Sequence, residues 1–466
     1  MQNIILHLDM NSYFASVLQQ DNPQYRGKPL GVCEHLGGII IAASKEAKQW
    51  GIKTGTPVWE ARKLYPKIIL THTTAERFRF YTRKLVKLVS EYTDQVELYS
   101  IDEVFLDITR TCNIKNPKFE KRNSKQILNS KLENLKLNSS TFDTPSLAKE
   151  GGGGVNPFLE AVNIALEIKQ RIKTEVGDYL TCSVGIAENK VLAKIGSDFK
   201  KPNGIVIIQN SKLEIRNSKH ILNAKSEILN LSKDELYYKL QLTDIPGIGE
   251  RQAKKLNALG IQTLLDLKNF PKSHLLACFG RIGGHHLYNL GQLTASWKSV
   301  VQSQSEIKSI GHMYTLPKTY RQPEFFEPVL FKLCEMVAVR LRRKNLEGSL
   351  LHAFCHLDNH TSVGGSKQVG EFVCDGRMIF SWAKIILNPL VVNKTYVRMI
   401  GVTVANLQVT SGQLSLFGHR EDNRQLLKAI DKLNEKYGEF TVARARMFGI
   451  EQVFRDSVGF GRVKEL

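Results

Sequence analysis

An α/β protein of several domains is predicted by alternating short apolar strands and amphipathic helices along a chain of 466 residues. Three observations carry this. Residues 3–8, 38–43 and 181–186 are apolar runs of strand length. Between them, 11–19 places Phe14, Val17 and Leu18 at helical spacing, and 76–92 does so with Phe80, Leu85, Leu88 and Val89. Strand and helix patterns alternate again over 307–407, most clearly in the run Tyr396 to Val404.

The remaining elements follow in order. A helix over 45–50 precedes the turn residues Gly51 and Gly55-Thr56-Pro57, and 157–176 reads as a further helix. Residues 233–286 are helical and basic. A helix over 423–437 is expected to set Leu426, Leu427, Ile430 and Leu433 on one face. Two stretches break the pattern, about 112–155 and about 209–230. Both are polar and share a repeat, 119–129 against 213–223. They read as one element inserted twice into tolerant surface loops, where added length adds little closure entropy.

Composition narrows the partners. A net charge of +20 and a pI near 9.5 favour a polyanion such as nucleic acid. Seven cysteines without a Cys-x-x-Cys pair argue against a disulfide framework or zinc site and for a reducing cytoplasm. No secretory leader is read at the N-terminus, and no apolar run reaches membrane-spanning length, so no membrane partner is expected.

The chemistry is carried by acidic residues inside strand-like runs: Asp9 in the first, Asp102 and Glu103 in 96–107. Buried carboxylates repel one another and need cationic compensation. A pair of divalent metals supplies it in enzymes of in-line displacement at phosphate, which points to phosphoryl or nucleotidyl transfer. Asp107 reads as a water-facing strand end. Lys190, Lys194, Lys200 and Lys201 recur on a helix that Pro202-Asn203-Gly204 terminates, and a terminal lysine there suits a triphosphate. Pro246-Gly247-Ile248-Gly249, with Lys254 behind it, forms a helix-hairpin-helix pattern whose glycines admit a DNA phosphate. Gln413-Leu414-Ser415-Leu416-Phe417 is an apolar peptide in a polar tail, suited to a partner's pocket.

Together these motifs resemble the Y family of DNA polymerases, most closely the bacterial type. The resemblance rests on Leu8 to Ala15, Ser100-Ile101-Asp102-Glu103, the Lys201-Pro202-Asn203-Gly204 helix end and the hairpin. It implies a right-hand polymerase. The palm, with a mixed sheet, would take 1–10 and 78–231, and small fingers 11–77. A helical thumb would span 232–302 and an α/β little finger 305–410, followed by a tail over 411–466. It implies two Mg2+ ions held by Asp9, Asp102, Glu103 and the Met10 carbonyl. Phe14 falls at the steric gate, beside Tyr13, and Lys201 at the triphosphate. Lys45 and Lys48 stand where the family usually has Tyr and Arg, so the arginine fork is absent.

The implied partners are primer-template DNA, deoxynucleoside triphosphates and a sliding clamp docked by Gln413 to Phe417, the chain acting as a monomer. The implied role is translesion synthesis in DNA repair, with low fidelity and no proofreading. Two alternatives differ in class. A non-catalytic DNA- and clamp-binding relative would have lost a metal carboxylate. A nucleotide cyclase would lack the hairpin and the clamp peptide.

Overall fold

The computed structural model describes residues 2–33, 38–71, 75–113, 156–210, 228–294, 307–320, 323–359, 361–389, 396–410 and 420–450. The repeated polar segments at 119–129 and 213–223 and the peptide Gln413 to Phe417 lie outside these residues. The fold divides into two compact units. One carries the elements up to Gly291, the other those from Ser309 onward.

The first unit is built on a mixed six-stranded sheet in the order β5-β6-β1-β7-β8-β9. β1 (Ile5–Met10) lies antiparallel between β6 (Glu103–Asp107) and β7 (Cys182–Ala187). β5 (Val96–Leu98) flanks β6, while β8 (Ile205–Gln209) and β9 (Ile228–Ser232) continue parallel to β7. β1 is buried along its whole length, with Leu6, Leu8 and Met10 on one face and Ile5, His7 and Asp9 on the other. Leu6, Leu8 and Met10 join a core with residues of the helices Ala75–Val89 and Pro157–Arg171. Ile5 and Phe105 join another, formed with the helix Lys190–Phe199 and the helices after Ser232.

β9 corrects one expectation. Ile228 to Asn230, read with the second polar insertion, pair in register with Ile205 to Ile207 as sheet edge. The run Ile228-Leu229-Asn230-Leu231 is too short for its period to separate it from a loop, and only the neighbouring strand decides it. Ser232 then caps the next helix through a reciprocal capping box with Glu235.

A small sheet, β3-β2-β4, is made by β2 (Leu30–Cys33), β3 (Ile40–Ala43) and β4 (Ile69–Thr71). It packs with the short helices Lys45–Gln49 and Val58–Leu64 around Cys33, Ile40, Ala47 and Val58. The second unit is an antiparallel sheet, β10-β13-β11-β12. Its strands are β10 (Ser309–Tyr320), β11 (Leu346–Leu357), β12 (Ser362–Val373) and β13 (Val397–Val409). Leu351, Ala353 and Cys355 of β11 face a core shared with the helices Pro323–Arg343 and Gly376–Leu387.

The tail helix Arg420–Tyr437 forms, but its predicted apolar face does not stay together. Leu427 is buried, whereas Leu426 is 57% and Leu433 44% exposed. Leu427, Asp431 and Asn434 share the inward stripe instead, because Arg342 Nε and Nη2 grip both oxygens of Asp431 at 2.7 Å each. The chain beyond this helix also packs on the second unit: Met447 is fully buried, and the Ile450 carbonyl accepts from the buried Lys332 ammonium at 3.2 Å.

Candidate active site

The site lies where the helix Lys190–Phe199 crosses the end of β1 and β6. Two glycines bring it there. A Cβ on Gly185 would fall 1.8 Å from the Ala193 carbonyl oxygen, and one on Gly196 only 3.1 Å from the Gly185 Cα. Helix and sheet backbones therefore touch directly. Asn189 caps the helix by accepting from the Leu192 amide at 2.9 Å. Lys190, Lys194 and Ser197 then recur on one helical face, with Lys201 continuing the stripe past the helix end.

That stripe meets one face of the sheet. Asp9 and Glu103 are register partners on β1 and β6, and His7 lies two residues back on the same face as Asp9. The Lys201 ammonium donates to Asp9 Oδ2 at 2.7 Å and pairs with Asp198 at 2.6 Å. Lys194 Nζ lies 2.5 Å from Glu103 Oε1. Lys190 pairs with Glu97. His7 is fully buried, with Nδ1 2.7 Å from Ser197 Oγ and Nε2 3.9 Å from Glu103 Oε2. Burial and the three lysines hold its pKa well below the ordinary value, so the ring is neutral at pH 7.

Asp102 immediately precedes β6. Its backbone carbonyl accepts from the Met10 amide at 3.0 Å, and its carboxylate accepts from Ser100 Oγ at 2.5 Å. Burial raises its pKa; the Ser100 hydroxyl opposes that shift and the Asp9 charge adds to it. Burial pushes Asp9 up to about 6, with Lys201 pulling the other way. Burial works against the charge of Lys201, but Asp9 and Asp198 outweigh it and raise its pKa.

The donors are hard carboxylate oxygens, the chemistry that suits Mg2+. Among the described residues no three metal-ligating side chains close into one group. Two of the three carboxylates are instead engaged by lysine ammonium groups, so the site already draws positive charge. The residues therefore fit a divalent metal in kind and charge.

The other predicted residues gather from neighbouring elements. Ser12, in the left-handed region at φ 48°, begins the helix Tyr13–Asp21 after the strand. Its hydroxyl accepts from Lys48 Nζ at 2.8 Å. Burial, then the Lys201 and Lys45 charges, lower the Lys48 pKa, with Asp9 opposing. Lys45 sits nearly one turn earlier on the same helix. Phe14 is buried edge-on to Phe78, ring centroids 4.5 Å apart, and the Tyr13 hydroxyl is taken up by the Phe78 carbonyl at 2.9 Å. Asn11 is a brace, with Ser183 Oγ donating to its side-chain oxygen at 2.9 Å.

Pro246 to Gly249 lies in the same unit but is not among the contacts of the carboxylates. Gly247 takes φ +104°, Ile248 is buried, and Gly249 opens the helix Glu250–Asn257 with no side-chain cap, Lys254 being exposed. Sequence reasoning missed His7, Ser197 and Asp198, and gave Lys194 no separate role. Spacing on the helix was the available signal for Lys194; nothing in the pattern marked a histidine in an apolar strand.

Comparison with known proteins agrees with this architecture. The impB/mucB/samB family profile matches residues 8–198 and its C-terminal domain profile residues 307–416. The thumb domain profile of DNA polymerase iota matches 243–292. A DNA polymerase IV of Moorella thermoacetica is 30% identical over 446 residues, covering 95% of each chain. That of Oceanobacillus iheyensis is 29% identical over 443 residues, 93% of this chain and 90% of the relative. A solved Y-family DNA polymerase chimera of Dbh and Dpo4 superposes with a TM-score of 0.65 at 24% identity, covering 87% of this chain and 99% of that one. The chain belongs to the Y family of DNA polymerases and, with DNA polymerase IV proteins as relatives across nearly its whole length, is a DNA-directed DNA polymerase of the translesion type.

Proposed function

We propose that the chain adds deoxynucleotides to a primer 3′-OH on a DNA template, with two Mg2+ ions held by Asp9, Asp102, Glu103 and the Met10 carbonyl. The observation that carries this reading is the pairing of Asp9 with Glu103 across adjacent strands, Asp102 one residue before, under a canopy of lysines from other elements. When bound, such metals would lower the pKa of the 3′-OH and supply charge for the leaving pyrophosphate. The protein's own part is to orient the reactants. Lys201, the most exposed of the lysines paired to these strands, moves from Asp9 to the triphosphate, and Lys48 and Lys45 add point charges there. Phe14, held by Phe78, leaves no volume beside C2′ for a hydroxyl, and Tyr13 supports it.

Pro246, Gly247, Ile248, Gly249 and Lys254 grip the DNA backbone without reading sequence. The peptide Gln413 to Phe417 docks on a sliding clamp, Leu416 and Phe417 filling its pocket. The reading includes the palm, fingers, thumb, little-finger and tail boundaries given above, with the second polar insertion ending before β9. It also includes a monomeric, cytoplasmic enzyme of low fidelity without proofreading. The described cysteines are all free, in keeping with a reducing compartment, and no helix among the described residues is long and apolar enough to cross a membrane.

The test is primer extension beside DNA binding for wild type and Glu103→Ala. The reading expects extension to vanish while binding persists, since affinity comes mainly from phosphate contacts elsewhere. Extension near the wild-type rate in the variant would sink the two-metal assignment.

A further inference from the structure

Of the two lysines on the metal-site carboxylates, one can leave and one is held. Lys201 stands at the helix end with 39% of its side chain exposed, and Asp198 offers it a second carboxylate. Lys194 is mid-helix. Gly185 and Gly196 pin that helix to the sheet, and its side chain is 16% exposed. Its ammonium is confined between Glu103 Oε1 at 2.5 Å and the Tyr99 ring, whose centroid lies 5.5 Å away. The other oxygen of Glu103 faces the neutral His7 ring.

We infer that Lys194 is a positioning residue and resident counter-cation: it holds Glu103 through Oε1 and, by competing for that carboxylate, keeps the nucleotide-free site weak for divalent metal. A site of three clustered carboxylates would otherwise load a metal before substrate arrives. With one carboxylate already neutralised, a divalent ion must displace the ammonium or accept a poorer set of ligands. This inference rests on the proposed metal site.

The experiment uses the full chain and Mn2+ alone, without DNA or nucleotide, reading free Mn2+ by electron paramagnetic resonance. Lys194→Met keeps the alkyl stem and removes the charge. It is expected to bind Mn2+ on the order of tenfold more tightly, about the worth of the one charge-assisted hydrogen bond to Glu103 that the ion no longer has to break. Lys194→Gln should do the same, and Lys194→Arg should stay near wild type. In a Glu103→Gln background the gain should disappear, because the carboxylate under competition is gone. Melting temperature measured with and without Mn2+ separates a structural role, which would lower it in both conditions and leave Mn2+ affinity unmoved. Unchanged or weaker Mn2+ binding in both neutral variants overturns the inference, as does a gain that survives Glu103→Gln. Loss of wild-type Mn2+ binding in Asp9→Asn and Asp102→Asn confirms the site beneath it. Binding that ignores both of those variants would overturn the metal-site reading itself.

Discussion

Two buried charge networks, one in each unit, are built from different cations. Around Asp9 and Glu103 the positive groups are lysines, each a single point charge on a flexible stem. Under the tail helix they are arginines. Arg342 forks onto both oxygens of Asp431 and also donates to the Cys374 carbonyl at 2.9 Å. Arg444 lies 2.9 Å from Glu335 and 3.2 Å from Asp375. The fork fixes direction as well as distance, so it suits a permanent clasp. An ammonium is compact and easily re-partnered, so it suits a charge that can be exchanged, as Lys201 can be between Asp9 and Asp198. The difference shows that an ion pair can be an anchor or a placeholder: an arginine fork marks the anchor, and among the lysines exposure separates the held Lys194 from the exchangeable Lys201.

The contrast between the two networks is tested most severely at the carboxylates. Asp102→Ala should lower extension by several orders of magnitude in a single-turnover assay while leaving melting temperature at or above wild type, because burial already strains its charge. A stability loss as large as the activity loss would make the site a clasp like the other. In the second unit, Arg342→Ala should cost about 2–4 kcal/mol, since it strands Asp431 in a poorly solvated place. Calorimetry should show this as a fall in melting temperature, with extension on a short primer-template preserved at permissive temperature.

Smaller effects sharpen it. Phe14→Ala should relax selection against ribonucleotides by orders of magnitude, because truncating the ring opens the volume a 2′-hydroxyl needs. Competing deoxy- and ribonucleotide incorporation measures this, and unaltered selection would move the gate to Tyr13. Lys48→Ala should raise the nucleotide KM more than it lowers kcat, with Lys45→Ala weaker, as expected of separate point charges. An unmoved KM in the double variant would leave Lys201 as the main contact.

The least effect concerns pH in the clasp. Burial raises the Glu335 pKa and Arg444 opposes it. Folding therefore holds the proton on Glu335 to a higher pH than the unfolded chain does. Its contribution is fully present below the ordinary carboxylate range and is lost as pH rises through the raised value. Relative to Glu335→Gln, wild type should lose stability as pH climbs from mildly acidic to neutral, measured by paired thermal melts. A difference that grows instead would mean the Arg444 pair dominates.

Much of this was legible in the chain. Asp9, Asp102 and Glu103 stand out in the sequence because charge inside an apolar strand is rare without compensation, and the structure brings Asp9 and Glu103 into register. The strands β1, β3 and β7, the turn at Gly247 and the tail helix followed from period and punctuation. What period could not carry was contact between distant segments. β9 is a strand because β8 lies beside it, and Leu427 rather than Leu426 faces inward because Arg342 anchors Asp431. Lys194 reads as one more solvated lysine until Gly185 and Gly196 draw its helix onto the sheet. The sequence by itself thus determined the family, the acidic residues and the element order, since these depend on residue type and local spacing. Only the tertiary structure decided which cation meets which carboxylate and how firmly, because burial and pairing are properties of neighbours brought together from far along the chain.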